Sequence, residues 1–434
     1  MGRCSTESGS TVGFLKLVST AAVAGLVVSS AACAGPAVPG AARSTDPDTA
    51  LVGITVGKET TVISGLVNAN HPSGNALFMQ FPYAESFPSA AGRRAPRVVL
   101  VSFNEQVDSG YSAERLRTER SVDGGKTFVQ LATSVPINSM TQLADHSLVA
   151  VNFRTMTTAA PLTSASHTPV LPPPAGAKKF VTMFWRSHDY GATWVQQRGT
   201  ISAADAYDAL YFHRGIVAAR DGSLLATIHG YLHGEHRYRS MLARSTDRGA
   251  TWRIVSTIAI SPPGWKIEGR SEPTMVRAAN GDLVVVMRQS APVNRSVCNG
   301  SQQGSGLVIT RSSDDGASWT PARPLVGPTL DVGDVSSADP DLTRMPGGQL
   351  ILSYGRPGNK LLVSADGNGT TWGSLTPTDS ETSSGYTSIV ALTATTALQL
   401  GDLGSNWCFP AGSGVHTVGI WAKTIELLPS KPPS

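Results

Sequence analysis

The stretch Arg120-Ser121-Val122-Asp123-Gly124-Gly125-Lys126-Thr127-Phe128 recurs, with small changes, four more times along the 434-residue chain. The copies are Arg186-Ser187-His188-Asp189-Tyr190-Gly191-Ala192-Thr193-Trp194, Arg244 through Trp252, Arg311 through Trp319, and Ser364 through Trp372, the last with one extra residue. Each reads Ser-x-Asp-x-Gly-x-Thr/Ser-aromatic, which is turn chemistry: the aspartate accepts backbone N–H bonds, the glycine takes a positive φ, and the ring turns back to the core. The anchoring aspartates Asp123, Asp189, Asp247, Asp314 and Asp366 lie 66, 58, 67 and 52 residues apart. A period of that size, with room for four strands per repeat, indicates propeller blades.

Working outward, six apolar segments open a repeat: Ala76 to Pro82, Thr141 to Val151, Gly215 to Ile228, Thr274 to Met287, Leu342 to Ser353 and Thr387 to Leu400. Several hold a tight turn, such as Asp221-Gly222 or Asn280-Gly281, between one strand and the next. The pattern predicts an all-β, six-bladed β-propeller whose last blade is closed by a strand from the beginning of the chain, around Thr60 to Leu66. Over residues 60 to 425 the sequence resembles the Asp-box or BNR-repeat proteins, whose best-known members are sialidases. The resemblance implies that the box aspartates are structural and lie away from the functional face.

The start of the fourth repeat, Ser271-Glu272-Pro273, is followed 16 residues later by Arg288; the fifth supplies Tyr354-Gly355-Arg356, and the sixth opens Gly385-Tyr386. This is the order in which sialidases place their catalytic group. The resemblance implies Tyr386 as nucleophile, Glu272 as its base, and Arg288 and Arg356 as two arms of an arginine clamp. A sialic acid carries a carboxylate on the carbon to be attacked, so an anionic nucleophile would be repelled, whereas a tyrosine deprotonated during attack avoids this. Guanidinium groups grip that carboxylate bidentately. The general acid, by the same resemblance, is Asp108, 12 residues before Arg120, with Glu105 and Glu235 as substitutes.

The sequence departs from the family in three places. The first repeat, Asn75-Ala76-Leu77-Phe78-Met79-Gln80, lacks the arginine that completes the clamp. Tyr211-Phe212-His213-Arg214-Gly215-Ile216 looks like that signature moved to the third repeat, which makes Arg214 and His213 candidate substrate-binding residues. The last repeat ends Leu398-Gln399-Leu400-Gly401-Asp402 in place of the usual acidic strand end, and Asp339 and Asp341 add acidic groups near the axis. These changes keep two other readings open: an exo-arabinanase-like glycosidase of the same fold, with two catalytic carboxylates, and a non-catalytic propeller that binds glycans or a protein. The plain reading of Glu272 and Arg288 is a structural ion pair, and of Tyr386 a rim tyrosine bonded to backbone.

Charged residues make up 15% of the chain and the net charge is +4, without a dense basic run, which argues against a nucleic-acid partner. Residues 1–32 read as an export signal, with Arg3 and Lys16 ahead of an apolar stretch that ends before Cys33. Either ordinary cleavage or lipidation of Cys33 follows, so the expected location is extracellular or cell-surface, with membrane attachment only through that lipid. Residues 33–55 read as a tether and 56–428 as the propeller. Cys298 and Cys408 form a disulfide or stay as buried thiols. The spacing of His229, His233 and His236 near Glu235 matches no closed zinc pattern, so no metal is expected. The resemblance implies no cofactor. Trp265, Trp407 and Tyr231 are candidates for stacking on sugar rings.

Overall fold

A computed structural model describes residues 53–68, 78–92, 95–105, 116–155, 176–235, 237–262, 268–289, 306–325, 338–356, 358–379, 383–404 and 414–429. The export signal, Cys33, Cys298 and Cys408 lie outside the described residues.

After β1 (Gly53–Asn68), the first unit contains β2 (Gln80–Phe87), β3 (Val98–Asn104), β4 (Leu116–Ser121) and β5 (Val129–Gln130). The second contains β6 (Met140–Gln142), β7 (Leu148–Val151), β8 (Ala177–Ser187) and the first part of β9 (Val195–Ala218). β9 continues as the inner strand of the third, with β10 (Leu224–Leu232), β11 (Arg237–Ser245) and β12 (Thr251–Ile260). The fourth unit is β13 (Glu268–Arg277), β14 (Leu283–Gln289), β15 (Leu307–Ser312) and β16 (Arg323–Pro324). The fifth is β17 (Ala338–Arg344), β18 (Leu350–Gly355), β19 (Asn359–Ser364) and β20 (Gly373–Asp379). The last is β21 (Thr387–Ala391), β22 (Thr396–Leu403) and β23 (Val415–Leu428), completed by β1. Pairing among the described residues thus gives six antiparallel four-stranded units, and the strand from the beginning of the chain closes the last one, with Ile63 opposite Ile420. β1 opens at Gly53, three residues inside the stretch read as tether.

The second strand of each unit is buried on both faces, so it reads as a continuous apolar run, such as Leu283-Val284-Val285-Val286-Met287 in β14. Alternation along it sends successive side chains into different cores. Val285 packs with Leu225 and Leu242 of the third unit, whereas Val284 and Val286 pack with Leu350 and Leu352 of the fifth. Six such clusters separate neighbouring units, and the sixth, between Val99, Val101 and Phe103 of the first unit and Leu398, Leu400 and Ile420 of the last, closes the circle. The inner strands β2, β6, β9, β13, β17 and β21 touch one another in that order and line the axis.

The five repeats sit where the turn chemistry puts them, on the hairpins between third and fourth strands. In the third, Asp247 accepts from the Thr251 N–H at 2.8 Å and hydroxyl at 2.6 Å, while Ser245 takes the Gly249 N–H. Trp252 is buried and donates to the Gly249 carbonyl. Burial alone would raise the Asp123 carboxyl, yet bonds from Thr127 and Ser121 hold it down at about 2. Because that value lies below the unfolded one, the contribution is present above pH 4 and is lost as the pH falls through 2. Asp247→Ala removes three acceptor contacts at a partly exposed turn, and thermal or urea unfolding is expected to show a loss of about 1–2 kcal/mol with the fold retained.

Candidate active site

The inner strands do not run regularly at one end of the axis. β2, β9, β13 and β17 each break register against the next strand at Gln80/Tyr83, opposite Ala226/Ile228, at Ser271/Thr274 and at Ala338/Asp341. Within these bulges Phe81, Arg214, Glu272 and Asp339 have φ of 61°, 31°, 50° and 42°. A positive φ at such residues costs roughly 1–3 kcal/mol each and concentrates at functional sites. A bulge re-aims a side chain that would otherwise enter an inter-unit core. Three of the four precede a proline (Pro82, Pro273, Pro340), which has no N–H to contribute to the ladder.

The Tyr386 hydroxyl donates to Glu272 Oε1 at 2.5 Å, and Arg288 Nη1 donates to the same oxygen at 2.9 Å. The other carboxylate oxygen takes the backbone N–H of Asp339 at 2.9 Å. The Arg356 guanidinium lies 5.3 Å from the centre of the Tyr386 ring, and its Nε donates to the Ser384 carbonyl at 2.6 Å. Glu272, Arg288 and Arg356 are buried and Tyr386 is half-buried. Burial would raise the Glu272 carboxyl, but Arg288, then His213, the Tyr386 hydroxyl and Arg356 outweigh it and hold it well below the usual carboxylate range. Burial and the Glu272 charge push Tyr386 well above the normal phenol range. The resting pair is therefore a neutral phenol hydrogen-bonded to a carboxylate.

Gly385 and Gly355 let this arrangement form. A Cβ on Gly385, whose φ is 78°, would fall 2.3 Å from Arg356 Cγ, and one on Gly355 would fall 2.0 Å from the Gly385 carbonyl. Asp402 secures the loop, accepting from the Ser384 N–H at 2.7 Å, the Ser383 hydroxyl at 2.8 Å and the Phe81 N–H at 3.0 Å. Phe81 then packs its ring 4.7 Å from that of Tyr386. Neither Phe81 nor Asp402 was assigned a role from sequence, although the Phe-Pro, Glu-Pro and Asp-Pro pairs of β2, β13 and β17 mark the bulges.

Arg214 and His213, candidate substrate-binding residues from sequence, are both buried and engaged within the protein. Arg214 is 4% exposed and reaches across the axis, pairing with Asp339 Oδ2 at 2.5 Å and Asp341 Oδ2 at 2.6 Å. It also donates to the Thr387 carbonyl at 2.6 Å, and the Tyr83 ring covers it at 4.6 Å. Burial disfavours its charge, yet the two aspartates more than restore it. His213 is 1% exposed, with Nε2 2.9 Å from Asp339 Oδ1 at an angle that makes no hydrogen bond. A guanidinium held by two carboxylates is already neutralised, and in this arrangement Arg214 ties the third unit to the fifth.

Asp108, Trp265, Trp407 and His236 lie outside the described residues. The two substitute acids are ion-paired, Glu105 with Arg117 at 3.3 Å and Glu235 with Arg239 at 3.1 Å. His233 bonds Asp208 at 2.9 Å, and His229 is buried among aromatic rings.

Solved structures with the same fold include the α-L-arabinanase of Penicillium chrysogenum complexed with arabinobiose, at 13% identity and a TM-score of 0.57, covering 86% of this chain and 98% of that one. The α-L-arabinofuranosidase of Fusarium graminearum, with arabinobiose, matches at 11% identity and 0.56 over 85% and 98%. A Trypanosoma rangeli sialidase matches at 13% identity and 0.50, covering 86% of this chain and 59% of the sialidase. No curated protein matches the sequence. The BNR repeat-like domain matches residues 167–398, more than half of the chain. With the repeats, their hairpins and the ring of units in place, the chain belongs to the BNR repeat-like domain family.

Proposed function

We propose that the chain is a retaining exo-glycosidase of sialidase type, with Tyr386 as nucleophile and Glu272 as its base, acting on a terminal acidic sugar. The observation that carries this reading is the 2.5 Å bond between the Tyr386 hydroxyl and Glu272, set between two arginines at the axis. Because Glu272 is a weak base and Tyr386 a weak acid, the proton moves to Glu272 only as Oη forms its bond to the anomeric carbon. The bond from that carbon to the leaving oxygen breaks in the same step, and Asp108 supplies the oxygen's proton. In the second step Asp108 takes a proton from water, which attacks the glycosyl-tyrosine, and Glu272 returns its proton to Tyr386. Arg288 and Arg356 pair with the sugar carboxylate. The signal-like residues 1–32 are in keeping with an activity outside the cytoplasm.

The capture of Arg214 by Asp339 and Asp341 favours a second reading, a glycosidase for a neutral terminal sugar such as arabinofuranose. The arabinan-degrading neighbours, which this chain covers almost completely, are in keeping with it. There Glu272 serves as a catalytic carboxylate and Tyr386 as its positioning partner.

Hydrolysis of a fluorogenic sialoside and of a fluorogenic α-L-arabinofuranoside by the purified chain separates the readings. Sialoside turnover is expected; arabinofuranoside turnover alone selects the second reading, and turnover of neither removes both. The pH profile adds a signed prediction. Arg288→Gln withdraws the main charge that keeps Glu272 ionised, so its pKa rises, and the acidic limb of kcat/KM moves upward by about 1 pH unit or more.

A further inference from the structure

A set of rings runs outward from the candidate site across the third unit. Tyr211 stacks on Phe153 at 5.1 Å and lies 5.2 Å from His229; His229 meets Tyr238 at 5.3 Å, and Tyr238 meets Tyr231 at 5.5 Å. Phe153, Tyr211, Tyr231 and Tyr238 are half-buried. The set joins the site at two points. His229 packs 5.5 Å from His213, and Tyr238 pairs in parallel register with Gly269, three residues ahead of Glu272.

His229 is the hub of the set and its one unusual member. It is 5% exposed, and its Nδ1 makes no hydrogen bond. Burial, then the neighbouring His213, lower its pKa to about 3, so it is a neutral imidazole with one donor and one acceptor. Buried polar atoms are ordinarily bonded, and an unpaired one marks a place where a ligand or water completes the network. The same imidazole lies close enough to Glu272 and Arg288 to feel both charges.

We infer that Phe153, Tyr211, Tyr231 and Tyr238, with His229 at their centre, form the subsite for the leaving group of the glycoside, and that its occupant is a sugar ring. The inference rests on the glycosidase reading. A saccharide presents C–H faces that pack on flat rings and hydroxyls that bond an imidazole, which is the combination these residues offer. The rings begin at His229, which packs on His213 beside the Pro273 carbonyl, and pass outward through β10 and β11, so a glycan whose terminal sugar sits over Tyr386 extends its next residue along them.

The test compares a glycoside that has a sugar leaving group with one that has none: sialyllactose or arabinobiose, according to the donor hydrolysed, against the glycosyl fluoride of the same donor. Tyr211→Ala and Tyr238→Ala are expected to lower kcat/KM on the saccharide at least about tenfold and to leave the fluoride within about twofold, as when a ring that a ligand covers is truncated. Equal losses on both substrates, or no loss on either, overturn the inference. If Tyr238→Ala unfolds in a thermal melt, Tyr238→Leu keeps the apolar bulk without the flat face and is expected to show the same split. If the native chain hydrolyses neither substrate, the glycosidase reading has failed. Calorimetric titration with lactose and arabinobiose then decides: binding that Tyr238→Ala abolishes supports the subsite, and no binding to the native chain overturns it.

Discussion

Tyr386→Phe lowers kcat/KM on the fluorogenic sialoside by about 10³-fold or more, and Glu272→Gln produces a loss of the same order. Phenylalanine keeps the ring that packs on Phe81 and lies beside Arg356, so the pocket retains its shape. It loses only the oxygen that bonds Glu272. Glu272 keeps Arg288 and the Asp339 N–H, which limits the cost to stability to about 1 kcal/mol. Glutamine at 272 preserves size but cannot take a proton, and its NH2 replaces one of two oxygens that both accept here. Because the two residues act as one unit, the double variant is expected to be no slower than either single variant. An additive double variant would mean that the residues act independently. A Tyr386→Phe variant that retains activity while Glu272→Gln does not would move the nucleophile to a carboxylate and select the arabinofuranosidase reading.

The largest effect on stability is expected at Asp339. It is fully buried, pairs with Arg214, approaches His213, and sits where three units meet the axis. Asp339→Leu leaves the Arg214 charge with Asp341 alone in a desolvated setting. Breaking a buried pair from one side costs about 3–5 kcal/mol. The surviving Asp341 contact places this variant toward the lower end, and a clear fall in Tm is the expected readout. Adding Arg214→Met removes the stranded charge and is expected to recover most of the loss, because a well-packed apolar replacement for both partners is often close to neutral. Failure of the second substitution to recover stability would show that Asp341, which also takes bonds from Ser388 and Ile389, needs the arginine for its own compensation.

The fold was legible because its signal is local. Each repeat is a hairpin whose Ser, Asp, Gly and ring act within eight or nine residues, so the turn is specified without reference to the rest of the chain. That Tyr386, Glu272, Arg288 and Arg356 meet was also legible, because strand starts and ends in a propeller converge by construction. The fate of Arg214 was not. Asp339 lies 125 residues away, and spacing along a chain does not say which buried carboxylate a cation will meet. Asp339 and Asp341 had been read as acidic groups near the axis, but their side chains are committed to the arginine. The aromatic set was hidden for a related reason: Tyr211, Tyr231 and Tyr238 lie on three strands, and only Tyr231 stood out in the sequence.

The pairing of β1 with β23 joins Gly53 to Leu428 and Asn68 to Val415, so the ring is fastened by its two extremities. During synthesis β1 is made before, and β23 after, every other described strand, which leaves the early strand waiting until the rest of the ring is available. The intermediate state is a row of units with an unfastened seam, and each lip of that seam carries unpaired N–H and C=O groups. Cutting away either end reopens the same seam. A chain shortened at its beginning should therefore gather into multimers through the bare β23 edge, even though every other unit is intact.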